Sequence, residues 1–158
     1  MAITMSNSNR DTSLLVKDVM TKAKDLVVIN ENGTIDDLLE LYRKYHYHSF
    51  PVVNKKRELM GIVTENVILI RVLFDSLSSK AFSHMIGRAD IKNIEKYTGK
   101  EIKYIMSHPI NVSPDTKLED AVVLMVRHSI SRLCVTEGEK LVGIISRRDI
   151  LRKIGNMK

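Results

Sequence analysis

The chain has 158 residues, 44% of them hydrophobic and 28% charged, and carries a formal net charge of +6. That size suits one ordinary domain or two small units sharing a core, and the composition is that of a globular protein. No apolar run approaches the ~20 residues that a spanning helix needs, and the lone cysteine, Cys134, excludes an internal disulfide framework and cysteine-based zinc sites and fits a reducing compartment.

Residues 1–15 open with MAITMSNSNR, a polar stretch without the apolar run of a signal peptide, so a short tail and a cytoplasmic protein are expected. A first unit then occupies residues 16–70. It begins with a helix-like VKDVMT (16–21) and a β-prone run, Leu26 to Ile29. Thr34 stands three residues before Asp37, the spacing of a capping box, and Ile35, Leu38, Leu39 and Tyr42 repeat at helical intervals. Phe50 to Val53 reads as a strand, NKKRE (54–58) as a turn, and LMGIVTENVILI (59–70) as a strand running into a helix. Lys55, Lys56 and Arg57 in that turn are taken as solvated surface.

Residues 71–101 have helical spacing at Val72, Leu73 and Phe74 and at Ile91 and Ile94, with breaks at Ser76 to Ser79, Gly87 and Gly99. They are read as a helical connector. Residues 102–158 then repeat the first unit: IKYIMS (102–107), a β-prone Ile110 to Val112, and Thr116 three residues before Glu119. Apolar residues follow at Leu118, Ala121, Val122 and Met125. The strand Leu133 to Thr136, the turn EGEK (137–140) and LVGIISRRDILRKI (141–154) complete the match. Cys134 lies in an apolar run and is expected to be a buried small side chain. Each unit is therefore β-α-β-β-α, its last two strands a hairpin, and each is too small to bury a core alone, so the two should pack together.

The order of Met-Thr/Ser, strand, helix, "F-P-V" or "L-C-V", then "G-h-h-T/S-x-x-D" resembles the tandem CBS domain, or Bateman, family over Val16 to Ile154. The resemblance implies an α/β (α+β) fold in which the two repeats form a pseudo-twofold pair with two ligand clefts. It also implies association of two such pairs into a flat disc, here a homodimer. Its usual ligands are AMP, ADP or ATP, with S-adenosylmethionine-type ligands in some members. G-I-I-S-R-R-D (143–149) carries the whole motif: a hydroxyl and a carboxylate on the first turn of a helix can meet ribose hydroxyls, and the helix start favours phosphate. Ser146 and Asp149 are the ribose candidates, and Arg147 and Arg148 the phosphate candidates. In the family such a helix faces the other repeat, which adds Thr21, Lys22, Val27, Tyr47, His48 and Ser49, with Tyr47 placed to stack on an adenine. Arg132 is a further phosphate candidate, towards the neighbouring cleft or across a dimer.

G-I-V-T-E-N-V (61–67) departs from the motif, because Val67 stands where the acid belongs. The second cleft, with Thr64, Ser107, Ile110 and Ser131, is thus expected to be weaker, empty or suited to another ligand. The alternative for Asp149 is a plain helix cap, since Asp is favoured in a first turn, but the repeat favours the ligand reading. His46 and His48 form an H-x-H on one strand face without a further ligand, so no metal is expected. No nucleophile elbow, Walker glycine loop or HExxH is present. The reading is a stand-alone, non-enzymatic regulatory module that senses an adenine nucleotide and signals to an unidentified partner protein, away from any membrane. The alternatives are nucleic-acid binding through the basic C-terminal helix and the 55–57 turn, which lacks an aromatic stacking platform, and a ligand-free dimerisation scaffold.

Overall fold

The computed structural model describes residues 13–73 and 99–157. The tail 1–12, and the connector positions Phe74, Ser76 to Ser79, Gly87, Ile91 and Ile94, lie outside the described residues. In chain order the elements are β1 (Thr21–Lys22), β2 (Ile29–Asn30), α1 (Ile35–Lys44), β3 (Ser49–Val53), β4 (Leu59–Thr64) and α2 (Glu65–Leu73). The second unit supplies β5 (Asn111–Val112), α3 (Leu118–Arg127), β6 (Arg132–Glu137), β7 (Lys140–Ser146) and α4 (Arg147–Gly155). One sheet has the order β2-β3-β4 and the other β1-β7-β6-β5. β2 lies parallel to β3 and β5 parallel to β6, and the last two strands of each unit form an antiparallel hairpin.

Local chemistry sets these elements. Thr34 caps α1 as its sequence predicts: the Asp37 N–H donates to Thr34 Oγ1 at 3.2 Å, and the Thr34 N–H donates to Asp37 Oδ2 at 2.8 Å. Ile35 and Leu38 then fall on the buried face. The corresponding capping box at Thr116 and Glu119 does not form. The N-cap of α3 is Lys117, which has no acceptor, and Thr116 Oγ1 instead receives the Ser113 N–H at 3.1 Å. The expectation slipped by one residue: Leu118 is the first helical residue, so Thr116 lies outside the cap and Glu119 one position too early. Of the α3 stripe, Leu118, Ala121 and Met125 are buried, whereas Val122 is exposed.

The β3–β4 turn is closed by Asn54, whose Oδ1 accepts the Lys56 and Glu58 N–H groups, with Arg57 at φ 63°. Lys55, Lys56 and Arg57 are exposed. Gly138, at φ 59°, closes the β6–β7 turn. The two turns meet: Leu59 N–H donates to the Glu139 carbonyl at 2.8 Å and Leu141 N–H to that of Arg57 at 3.1 Å. Cys134 packs beside this junction with Val53 and Leu141, buried as expected, and burial pushes its thiol up to about 12.

The lead-in segments are exchanged between repeats. Val16 lies in the core of Leu118, Met125, Leu133 and Ile145, while Ile102 and Ile105 lie in that of Leu38, Phe50 and Val63. Matching backbone bonds hold them: Val16 N–H to the Thr116 carbonyl at 2.9 Å, and Ile102 N–H to the Gly33 carbonyl at 2.8 Å. β1 pairs with β7, and Ser107 bridges to Ile62 of β4 in the same sense. A Cβ on Gly143 would stand 2.7 Å from Met20 Sδ and 2.8 Å from the Thr21 carbonyl, and one on Gly61 would stand 2.6 Å from Met106 Sδ. The Met of each lead-in therefore crosses the glycine of the other repeat's last strand, which gives both residues of the repeated sequence a physical reason.

Candidate functional site

Two clefts follow from this arrangement. β2 pairs only with Val52 and Val53, and β5 only with Cys134 and Val135, so the starts of β3 and β6 have no neighbour on that side. A proline is tolerated in the middle strand for the same reason, since Pro51 lies beyond the end of β2.

The first cleft, of about 470 Å³, opens where β7 runs directly into α4. Ser146 ends the strand and caps the helix. Its Oγ accepts the Asp149 N–H at 3.2 Å and donates to Asp149 Oδ2 at 2.6 Å, and its own N–H donates to the same Oδ2 at 2.9 Å. The capping reading of Asp149 is thus correct. It does not exhaust the carboxylate, because the cap contacts to the side chain all use Oδ2, and Asp149 lines the cleft. Opposite stand Thr21, Val27, Tyr47 and Ser49. Tyr47 is 44% exposed and stacks on Tyr45 at 5.6 Å and 8°. Arg147 is partly committed elsewhere: its Nη2 donates to the Met125 carbonyl in the last turn of α3 at 3.1 Å.

The second cleft, of about 420 Å³, lies at the start of α2. Thr64 Oγ1 accepts the Val67 N–H at 3.3 Å, so the hydroxyl half of the cap is kept and the carboxylate half is missing. His48 Nδ1 lies 3.1 Å from both carboxylate oxygens of Glu65. His48, Ser49, Ser131 and Arg132 form a wall common to the two clefts, where Arg132 Nη1 donates to Ser49 Oγ at 3.3 Å. Behind this wall Tyr42 meets Phe50 edge to face at 5.0 Å, and burial raises its phenol pKa, helped by the charge of Glu65.

The family profile "CBS domain" matches twice, over residues 16–73 and 100–156. The chain belongs to the CBS domain family. The chloroplastic CBS domain-containing protein CBSX1 of Arabidopsis thaliana is 31% identical to it, covering 95% of this chain and 68% of that protein. The protein MJ1426 of Methanocaldococcus jannaschii is 28% identical over 89% of this chain and 91% of its own length. Among solved structures, CBSX2 of Arabidopsis thaliana in complex with AMP superposes with a TM-score of 0.70 at 28% identity, covering 90% of this chain and 97% of that one. The tandem CBS pair is thus the fold of this chain.

The α4 cleft brings together Thr21, Val27, Tyr47, His48, Ser49, Arg132, Ser146, Arg147, Arg148 and Asp149. Lys22 is not among its lining residues: in β1 it follows Thr21, and consecutive strand side chains point to opposite faces. Thr64, Ser107, Ile110 and Ser131 all line the α2 cleft, and Ser131 lines the α4 cleft as well. Asp25, Leu26, His46, Pro51, Ile144 and Arg152 complete the α4 cleft without having been ligand candidates in the sequence. Arg152 was legible: it stands four residues after Arg148, on the same helix face. Among the described residues no three His, Cys, Asp or Glu side chains gather into a metal site, and no helix is long and apolar enough to cross a membrane.

Proposed function

We propose that this CBS pair is a regulatory module that binds one adenosine nucleotide per chain in the α4 cleft and passes the occupancy to a partner protein. The observation that carries this reading is the Ser146–Asp149 pair at the mouth of a 470 Å³ cleft opposite an exposed Tyr47. Asp149 Oδ1 would accept from the ribose hydroxyls, Tyr47 would cover the base, and Arg148 at the helix start would meet phosphate. The solved complex of CBSX2 with AMP, at 28% identity over most of both chains, supports the ligand class. Signalling would need the ligand to prefer one arrangement of the repeats. Because β1 is hydrogen-bonded to β7, which continues into α4, a ligand held between Thr21 and α4 touches both repeats at their exchange point. Apolar residues left exposed on α2 and α4, Leu69, Ile70, Leu151 and Ile154, would be covered in a homodimer.

Calorimetric titration of the full chain with AMP, ADP, ATP and S-adenosylmethionine tests the reading. Binding of at least one nucleotide at one per chain is expected, reduced tenfold or more in Asp149→Asn. No binding by any of the four would overturn it. Light scattering with and without the bound nucleotide tests the dimer.

A further inference from the structure

The charge in the α4 cleft exceeds what a single phosphate uses. Arg132, Arg147, Arg148 and Arg152 line it against Asp25 and Asp149, and none of the four guanidiniums is ion-paired among the described residues. The contacts they make are to neutral oxygens, the Ser49 hydroxyl and the Met125 carbonyl. Arg148 and Arg152 make none among the described residues.

Their placement opposes the helix electrostatics in two ways. Arg147 and Arg148 are the first two residues of α4, at the positive end of the dipole, where anions are favoured and cations are not. Arg148 and Arg152 are an i,i+4 pair of like charge, which repels across one turn unless an anion lies between. The two α-carbons are separated by about 6 Å along the axis, four residues of helical rise. A phosphate at the helix start meets Arg148 first; a chain of phosphates running along the helix continues to Arg152.

Resting on the reading of the α4 cleft as an adenosine nucleotide site, we propose that the cleft selects a nucleoside polyphosphate over a monophosphate, and that Arg152 is the residue that discriminates, by meeting the terminal phosphates. The ribose end is fixed by Ser146 and Asp149, the first phosphate by Arg148, and the chain extends towards Arg152. The α2 cleft has no such ladder: of its lining residues only Arg132 is an arginine.

The test is calorimetric titration of the full-length chain with AMP, ADP and ATP at fixed ionic strength, for the wild type and for Arg152→Gln. The wild type should bind ATP and ADP at least tenfold more tightly than AMP. Arg152→Gln should lose tenfold or more for ATP while changing AMP by less than threefold, and Arg152→Lys should recover part of the ATP affinity. If Arg152 served only to complement the C-terminal end of α4, its replacement would lower the melting temperature slightly and leave the ATP-to-AMP ratio unmoved; that result overturns the proposal. Wild-type protein that binds AMP as tightly as ATP overturns it too, with the adenosine reading intact. If none of the nucleotides binds, it is the parent reading that fails.

Discussion

The α4 and α2 clefts are built on one backbone plan and differ in a handful of side chains. In both, a strand runs into a helix capped by a hydroxyl, a short first strand leaves the middle strand uncovered, and the lead-in of the opposite repeat closes one side. At α4 the hydroxyl has a carboxylate partner, Asp149, and a row of arginines; at α2 the third helical position is Val67 and the nearest acid, Glu65, is paired with His48. The backbone therefore duplicates cheaply, because it depends on apolar spacing and turns that many residues satisfy. Site chemistry depends on single atoms, and one substitution removes it.

The largest expected effect comes from the glycines under the crossing methionines. Gly143→Ala should cost about 1–3 kcal/mol by overpacking, near the upper end because its new Cβ meets the fixed Thr21 carbonyl. Gly61→Ala should cost less, since the atoms it meets belong to the flexible Met106 side chain. Urea denaturation of the two variants checks this; equal losses would mean that the two crossings are not distinguished by backbone contact.

Next, the caps. Ser146→Ala removes a reciprocal box and should cost about 1 kcal/mol, while Thr64→Ala removes half of one and should cost about half as much. The reverse change, Val67→Asp, completes the α2 box. It should raise stability by about 0.5–1 kcal/mol and add a second nucleotide-binding event to the calorimetric titration. A stoichiometry that stays at one per chain would show that the acid is not what separates the clefts.

A last contrast concerns Cys134, which occupies in β6 the place of Pro51 in β3, across from Ile144 as Pro51 is across from Ile62. Its thiol is raised from 9.0 to about 12 by burial. The folded state therefore holds the proton more tightly than the unfolded one. The associated stability is complete below about pH 9 and is lost as the pH rises towards about 12. Wild-type protein should lose stability over this window relative to Cys134→Ala, by chemical denaturation at stepped pH, and the thiol should resist iodoacetamide until the protein unfolds.

The fold was legible because its signals are local. The Thr34–Asp37 box, the two hairpin turns and the apolar stripe of α1 each depend on residues within a few positions of one another. The Asp149–Val67 difference was legible for the same reason, since the two motifs could be aligned residue by residue. The failure at Thr116 is equally local: a hydroxyl and an acid at the right spacing occur one residue out of phase with the helix, and only the actual first helical residue decides which position is the cap.

What the sequence by itself determined is the repeat, its elements, and which copy of the strand-to-helix motif keeps a complete hydroxyl–acid pair. Tertiary structure decided the rest. Only the packed pair shows that each lead-in fills the core of the other repeat, that Arg132 and Ser49 stand in a wall common to both clefts, that Arg147 is drawn to the end of α3, and that Lys22 stays off the cleft while Arg152 joins it. Periodicity states which face of an element is apolar, but not which partner that face will meet. That choice is made when two half-cores, each too small to stand alone, exclude water together.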